Sequence, residues 1–247
     1  MSNPLLKDSV FKNATKTSES MAIPGVRTSE PMTISGVINK SMVLWALLAA
    51  SAVYSWTNPH VTSGLFFPAL IIGFVLALIT IFNKTASPFL SPLYAVCQGL
   101  LLGYLSLVFE KQHPGIVVNA VFLTIAVLFC MLAAYRTGML RATPMFTKIV
   151  VLATFSILIV YIADILLNLF GTGRVPYIHD SGLIGIGISL LIVTVAALNL
   201  IIDFEIIAQG TRYGAPKYME WYGSFALMVT LIWLYLEMLR LLSKIRN

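Results

Sequence analysis

Charge is what this sequence has least of. Only 11% of its 247 residues are Asp, Glu, Lys or Arg, about half the roughly 25% of an ordinary soluble domain. That shortage excludes a chain folded with its whole surface in water. Cysteine is scarcer still. Cys97 and Cys130 sit in separate apolar runs, so they read as inert packing residues and not as a disulfide or metal framework. The three histidines, His60, His113 and His179, fall between apolar runs and far from one another. Neither H-E-x-x-H nor the phosphate-binding G-x-x-x-x-G-K-[ST] occurs, which argues against a metalloprotease or a nucleotide-hydrolysing enzyme. A retinal protein needs a lysine within its last span, and Lys244 stands only at the very end. No enzyme class is left standing. The net charge of +6 is spread singly between apolar runs, the pattern of membrane flanks and not of a nucleic-acid-binding patch.

What the sequence has is apolar length. Hydrophobic residues make up 58% of the chain, and a helix needs about 20 of them in a row to cross a bilayer. Seven stretches qualify: 36–56, 63–83, 89–109, 115–134, 147–170, 182–206 and 220–243. They are continuous, whereas barrel strands would alternate over about ten residues. The expected fold is an all-α seven-helix transmembrane bundle over 34–247, embedded in lipid. Residues 1–33 are polar and rich in Ser and Thr, and are read as a flexible cytosolic tail.

With the N-terminus inside, eleven Lys and Arg (Lys7, Lys12, Lys16, Arg27, Lys40, Lys84, Arg136, Arg141, Lys148, Arg212 and Lys217) lie on the cytosolic side. Five (Lys111, Arg174, Arg240, Lys244 and Arg246) lie outside. This bias favours a cytosolic N-terminus, and the basic C-terminal end is its discordant part.

Small and polar residues mark the inward faces. Gly99 and Gly103 form a GxxxG face on the third span, and Gly182, Gly185 and Gly187 open the sixth. Both patterns allow close helix packing, expected within one chain, with a monomer the favoured state. Ionisable groups at bilayer depth usually face a bundle interior or a water path. Asp164 shares a face of the fifth span with Tyr161 and Asn168. On the sixth, Asn199 and Asp203 share a face, while Glu205 is roughly 200° round the helix from Asp203. On the seventh, Thr230, Trp233 and Glu237 form one stripe. If 210–217 is the hairpin turn, Asp203 is level with about residue 223 and Glu220 with about 206. Glu237 then lies roughly 20 Å further along. The count excludes Glu237 as the partner of Asp203 and offers Glu220 to Asp203 or Glu205. Two such acids would repel and could share a proton.

At these residues the chain resembles a known family. "MTISGVINKSMVLWALLAASAVYSW", "PLYAVCQGLLLGYLSLVFE", "LNLIIDFEIIAQG" and "GAPKYMEWYGSFALMVTLIWLYLEMLRLLSKI" look like the bacterial branch of the Bax inhibitor-1/YccA family. The resemblance implies a seven-helix membrane protein with its last helix central, placed in a bacterial inner membrane. It also implies a cation leak, notably of calcium, governed by a pH-sensing pair of aspartates. The alternative it offers is a regulatory protein that binds the FtsH membrane protease without transport. Asp203 matches the sixth-helix aspartate, so calcium or protons near Asp203 are the ions implied; no other metal or cofactor is. Thr230 stands at or near the place of the seventh-helix aspartate, and the second span has no counterpart of an arginine that pairs with the latch. Glu205, Glu220 and Glu237 are the remaining acids.

Overall fold

A computed structural model of the chain describes residues 30–171 and 180–246. The segment 1–29, most of the predicted tail, and the loop 172–179 that holds Arg174 and His179 lie outside the described residues. Within them, all seven predicted spans are helices long and apolar enough to cross a membrane. They are α1 (Ile34–Thr57), α2 (Pro59–Phe82), α3 (Ser87–Gln112), α4 (Ile116–Arg136), α5 (Pro144–Leu169), α6 (Leu183–Arg212) and α7 (Met219–Arg246). The protein is an all-α, multi-pass membrane protein.

The helix boundaries follow local chemistry. Thr33 caps α1, its hydroxyl accepting from the Gly36 amide at 3.0 Å, which satisfies one of the free donors of the first turn. Asn58 alone separates α1 from α2, because Pro59 at the first helical position suits a helix start. Thr143 and Pro144 repeat the cap-and-proline pattern at α5. The main difference from the sequence lies after the sixth span. There α6 runs on past residue 206 to Arg212, and the chain turns at Gly214 with φ +64°, a conformation open chiefly to glycine.

Burial divides the helices. More than half of the apolar stretch of α7 and of α6 is buried inside the protein, against less than a quarter for α1, α2, α4 and α5. The last helix is thus the most buried, as the resemblance implies. The outer helices expose large apolar side chains such as Phe67, Phe74, Phe122, Phe129, Leu152 and Ile159, the surface expected of a protein solvated by lipid. Cys97 is buried, but Cys130 is on this exposed surface.

The chain divides into two compact units, and α6 and α7 each contribute to both. One unit takes the described residues up to Lys111 together with Glu205–Val229; the other takes Gln112–Phe204 and Thr230 onward. In the first unit, Gly99 and Gly103 lie against α1. A Cβ on Gly99 would run into Ser51 Oγ and the Leu48 carbonyl, and one on Gly103 into the Ala52 carbonyl. The close approach lets Ser55 Oγ donate to the Leu100 carbonyl at 2.8 Å. The same unit packs Tyr94 of α3 edge-on against Phe225 of α7, with ring centroids 4.9 Å apart.

The glycines of α6 behave otherwise. Gly182 is exposed just before the helix, its amide donating to Asp180 Oδ1 at 3.3 Å. Gly187 is exposed too, with nothing near its missing Cβ. Only Gly185 is buried. The three are spaced so that they do not share a face, and Gly182 belongs to the helix start and not to a packing face.

Candidate functional site

The second unit carries a polar seam between apolar helices. Its centre is Asp203 on α6, fully buried. Thr230 of α7, also buried, donates its hydroxyl to Asp203 Oδ2 at 2.6 Å. One turn before Asp203, Asn199 donates to Thr154 Oγ1 of α5 at 2.9 Å and to the Val195 carbonyl at 2.8 Å. Thr154 in turn donates to the Val150 carbonyl at 2.9 Å. Asn199 and Asp203 therefore do share an inward face, as their spacing predicts.

The contact with Thr230 corrects the register expected for the hairpin. Residue 203 was expected level with about 223. Because α6 continues to Arg212 and α7 starts only at Met219, the turn is centred later and 203 meets 230. The partner that residue counting missed is Thr230, the residue that the family resemblance puts at or near the place of the second aspartate.

A second acid lies in the same unit. Glu237 on α7 is 1% exposed. Tyr161 of α5 donates to Glu237 Oε1 at 2.8 Å, and Arg240 reaches the same oxygen at 3.0 Å. The Arg240 guanidinium also lies over the Tyr161 ring, 4.9 Å from its centroid, adding a cation–π contact. Oε2 of Glu237 is buried and has no hydrogen-bond partner among the described residues. Thr154 and Tyr161 are seven apart on α5, so one helix face serves both α6 and α7. That spacing was the signal for Thr154, which the sequence reading passed over.

The stripe on α5 is only partly inward. Tyr161 and Asp164 are half-buried, but Asn168 is exposed, since it sits in the last turn of a helix that ends at Leu169.

The remaining acids are placed elsewhere. Glu205 is half-buried and accepts from Gln209, one turn on along α6, at 3.0 Å. Glu220, offered to Asp203 or Glu205 by the sequence, is 1% exposed and bound up at the start of α1. The Thr33 amide and hydroxyl donate to its Oε1 at 2.9 and 3.0 Å, and Lys40 forms an ion pair with Oε2.

The basic C-terminal end is also occupied. Lys244 donates to the Gly185 carbonyl at 3.0 Å and to Ser189 Oγ at 2.8 Å, while Arg246 donates to the Pro114 carbonyl at 2.7 Å. With Arg240 on Glu237, the three cations that disturb the charge bias all have structural partners.

Among the described residues no group of three or more His, Cys, Asp or Glu is placed to hold a metal ion. The seam offers instead single buried carboxylates tied to hydroxyl donors on neighbouring helices. Such a tie can change strength when a proton is gained or lost. A family model described as Bax inhibitor 1 like matches residues 3–247. Comparison with curated proteins and with solved structures gave no match.

Proposed function

The chain belongs to the Bax inhibitor 1 like family, and on that premise we propose that it is a pH-sensitive cation leak of a bacterial inner membrane, with Asp203 as its proton-responsive group and calcium as its cargo. The observation that carries this reading is the fully buried Asp203 carboxylate, held by Thr230 between two membrane-spanning helices. A carboxyl in such a place is costly and is usually retained for an ion or proton path. Hydrogen bonds to an ionised acceptor are roughly twice as strong as neutral ones. Protonation of Asp203 therefore weakens its tie to Thr230 and removes the charge that attracts a cation. One event changes both helix contact and cation affinity.

A threonine can donate to a carboxylate but cannot share a proton with it as a second acid would. The device is thus a single-acid version of the paired one, with Glu237 as a separate acid on α7. The eleven-to-five charge bias supports a cytosolic N-terminus, and its exceptions at the C-terminal end are engaged in structural bonds.

The test is flux. The protein reconstituted in liposomes should pass calcium with a rate that changes between acid and neutral pH, and Asp203→Asn should flatten that profile. An unchanged profile in Asp203→Asn removes Asp203 from the role. A protein that moves no cation but binds FtsH would replace this reading with the regulatory one.

A further inference from the structure

The start of α1 is closed by an acid from another helix. In a capping box, the residue three beyond the cap is Glu or Gln, and its side chain returns to the cap's backbone amide. Here the cap is Thr33 and that third residue is Gly36, which has no side chain. The Glu220 carboxylate takes its place, accepting from the Thr33 amide and hydroxyl. A Cβ on Gly36 would collide with that carboxylate directly. Lys40, one turn on along α1, neutralises the other oxygen, and Ser224 Oγ donates to the Val37 carbonyl at 2.8 Å.

The residues just before the cap are bound to the turn between α6 and α7. Pro31 pairs with Pro216 in an antiparallel bridge, and the Met32 amide donates to the Ala215 carbonyl at 2.7 Å. The Met32 side chain is 1% exposed, and its Cε lies close to Gly223 of α7. Glu30 forms an exposed ion pair with Lys217. Residues 30–33 thus form a strap across residues 215–220. Its fastenings differ in kind: a short backbone bridge, a methionine plug, an exposed ion pair and the borrowed cap.

We propose that this strap is a releasable latch that sets the order of the α6–α7 turn. Closed, it fixes the turn and the first turn of α7. Open, it frees Ala215 and the turn around it while the helices stay intact, because what breaks is a short backbone bridge and side-chain contacts, not a bond within either helix. The proposal stands on contacts within one unit and does not depend on cation passage.

The experiment is amide hydrogen exchange on the full chain in lipid nanodiscs. Gly36→Ala, which evicts the Glu220 carboxylate, should speed exchange at Met32–Val37 and Ala215–Met219 by about tenfold or more, with α4 unaffected, as expected of local opening. Where Gly36→Ala does not fold, Met32→Ala serves with the same expected result. Exchange at both segments unchanged in the variant would overturn the latch. A disulfide between Pro31→Cys and Pro216→Cys, with Cys97 and Cys130 changed to Ala, tests release itself. Oxidation should slow exchange at Met32 and Ala215–Met219 by about tenfold relative to the reduced form. Equal exchange in both forms would show a fixed anchor and sink the proposal.

Discussion

The Thr230 hydroxyl meets Asp203 Oδ2 at 2.6 Å, one residue from each of the two most buried helices. Removing this donor with little change in side-chain volume tests what the Thr230 hydroxyl contributes. Thr230→Val should destabilise the protein by about 1–3 kcal/mol, the usual cost of weakening the solvation of a buried polar group. Thr230→Ser should retain most of the stability. Thermal unfolding in detergent, followed by the loss of helical circular dichroism, checks both. A Thr230→Val protein as stable as the parent would mean that the Thr230 hydroxyl contributes nothing to stability.

Tyr161, Glu237 and Arg240 share one carboxylate oxygen, so they should act as a unit. Tyr161→Phe removes one donor, and Arg240→Ala removes the other along with the cation–π contact. Groups in one hydrogen-bonded network show coupling of about 0.5–3 kcal/mol in double-mutant cycles. The double variant is therefore expected to differ from the sum of the two single ones by that amount. Additive effects within error would mean that Tyr161 and Arg240 act independently.

The helices were legible because the membrane imposes a length on apolar runs, and seven runs of that length stand between Pro, Gly and charged residues. Asn199 and Asp203 were legible for a similar reason, since two polar residues four apart in an oily helix must face one way. The partner of Asp203 was not, because residue counting needs the turn's position. Gly210 reads as a helix end, yet α6 continues through it to Arg212. The role of Glu220 was hidden more deeply. A capping box is a local pattern, but here its acid stands 187 positions from its cap, and a glycine at position 36 gives no sign that a side chain from elsewhere fills the space.

The glycines separate into those that touch backbone and those that do not. At Gly103 the nearest neighbour of an added Cβ is the Ala52 carbonyl, which cannot swing aside as a side chain can. Gly103→Ala should cost about 1–3 kcal/mol through overpacking. Gly187 has open space around it, so Gly187→Ala should be neutral or stabilising by about 0.5–1 kcal/mol from helix propensity alone. The unfolding midpoint of Gly103→Ala should fall while that of Gly187→Ala holds or rises, and a Gly103→Ala midpoint that does not fall would contradict the α1–α3 contact.

The Glu30–Lys217 pair sets the pH range over which the strap's outer end is fastened. The Lys217 ammonium holds the Glu30 carboxyl below its ordinary value of 4.5, and Glu30 holds Lys217 above 10.5. A lowered acid contributes above its unfolded value and loses that contribution as pH falls through its folded one. A raised lysine contributes below its unfolded value and loses it as pH rises through its folded one. The pair is therefore fully formed between about 4.5 and 10.5, and its fastening is expected to be flat across neutral pH. Both groups are exposed, so added salt should screen the pair. Lys217→Gln should speed exchange at Met32 modestly at low salt and hardly at all at high salt. A steep change in Met32 exchange between pH 6 and 8, once corrected for intrinsic exchange chemistry, would show that some other titrating group governs the strap.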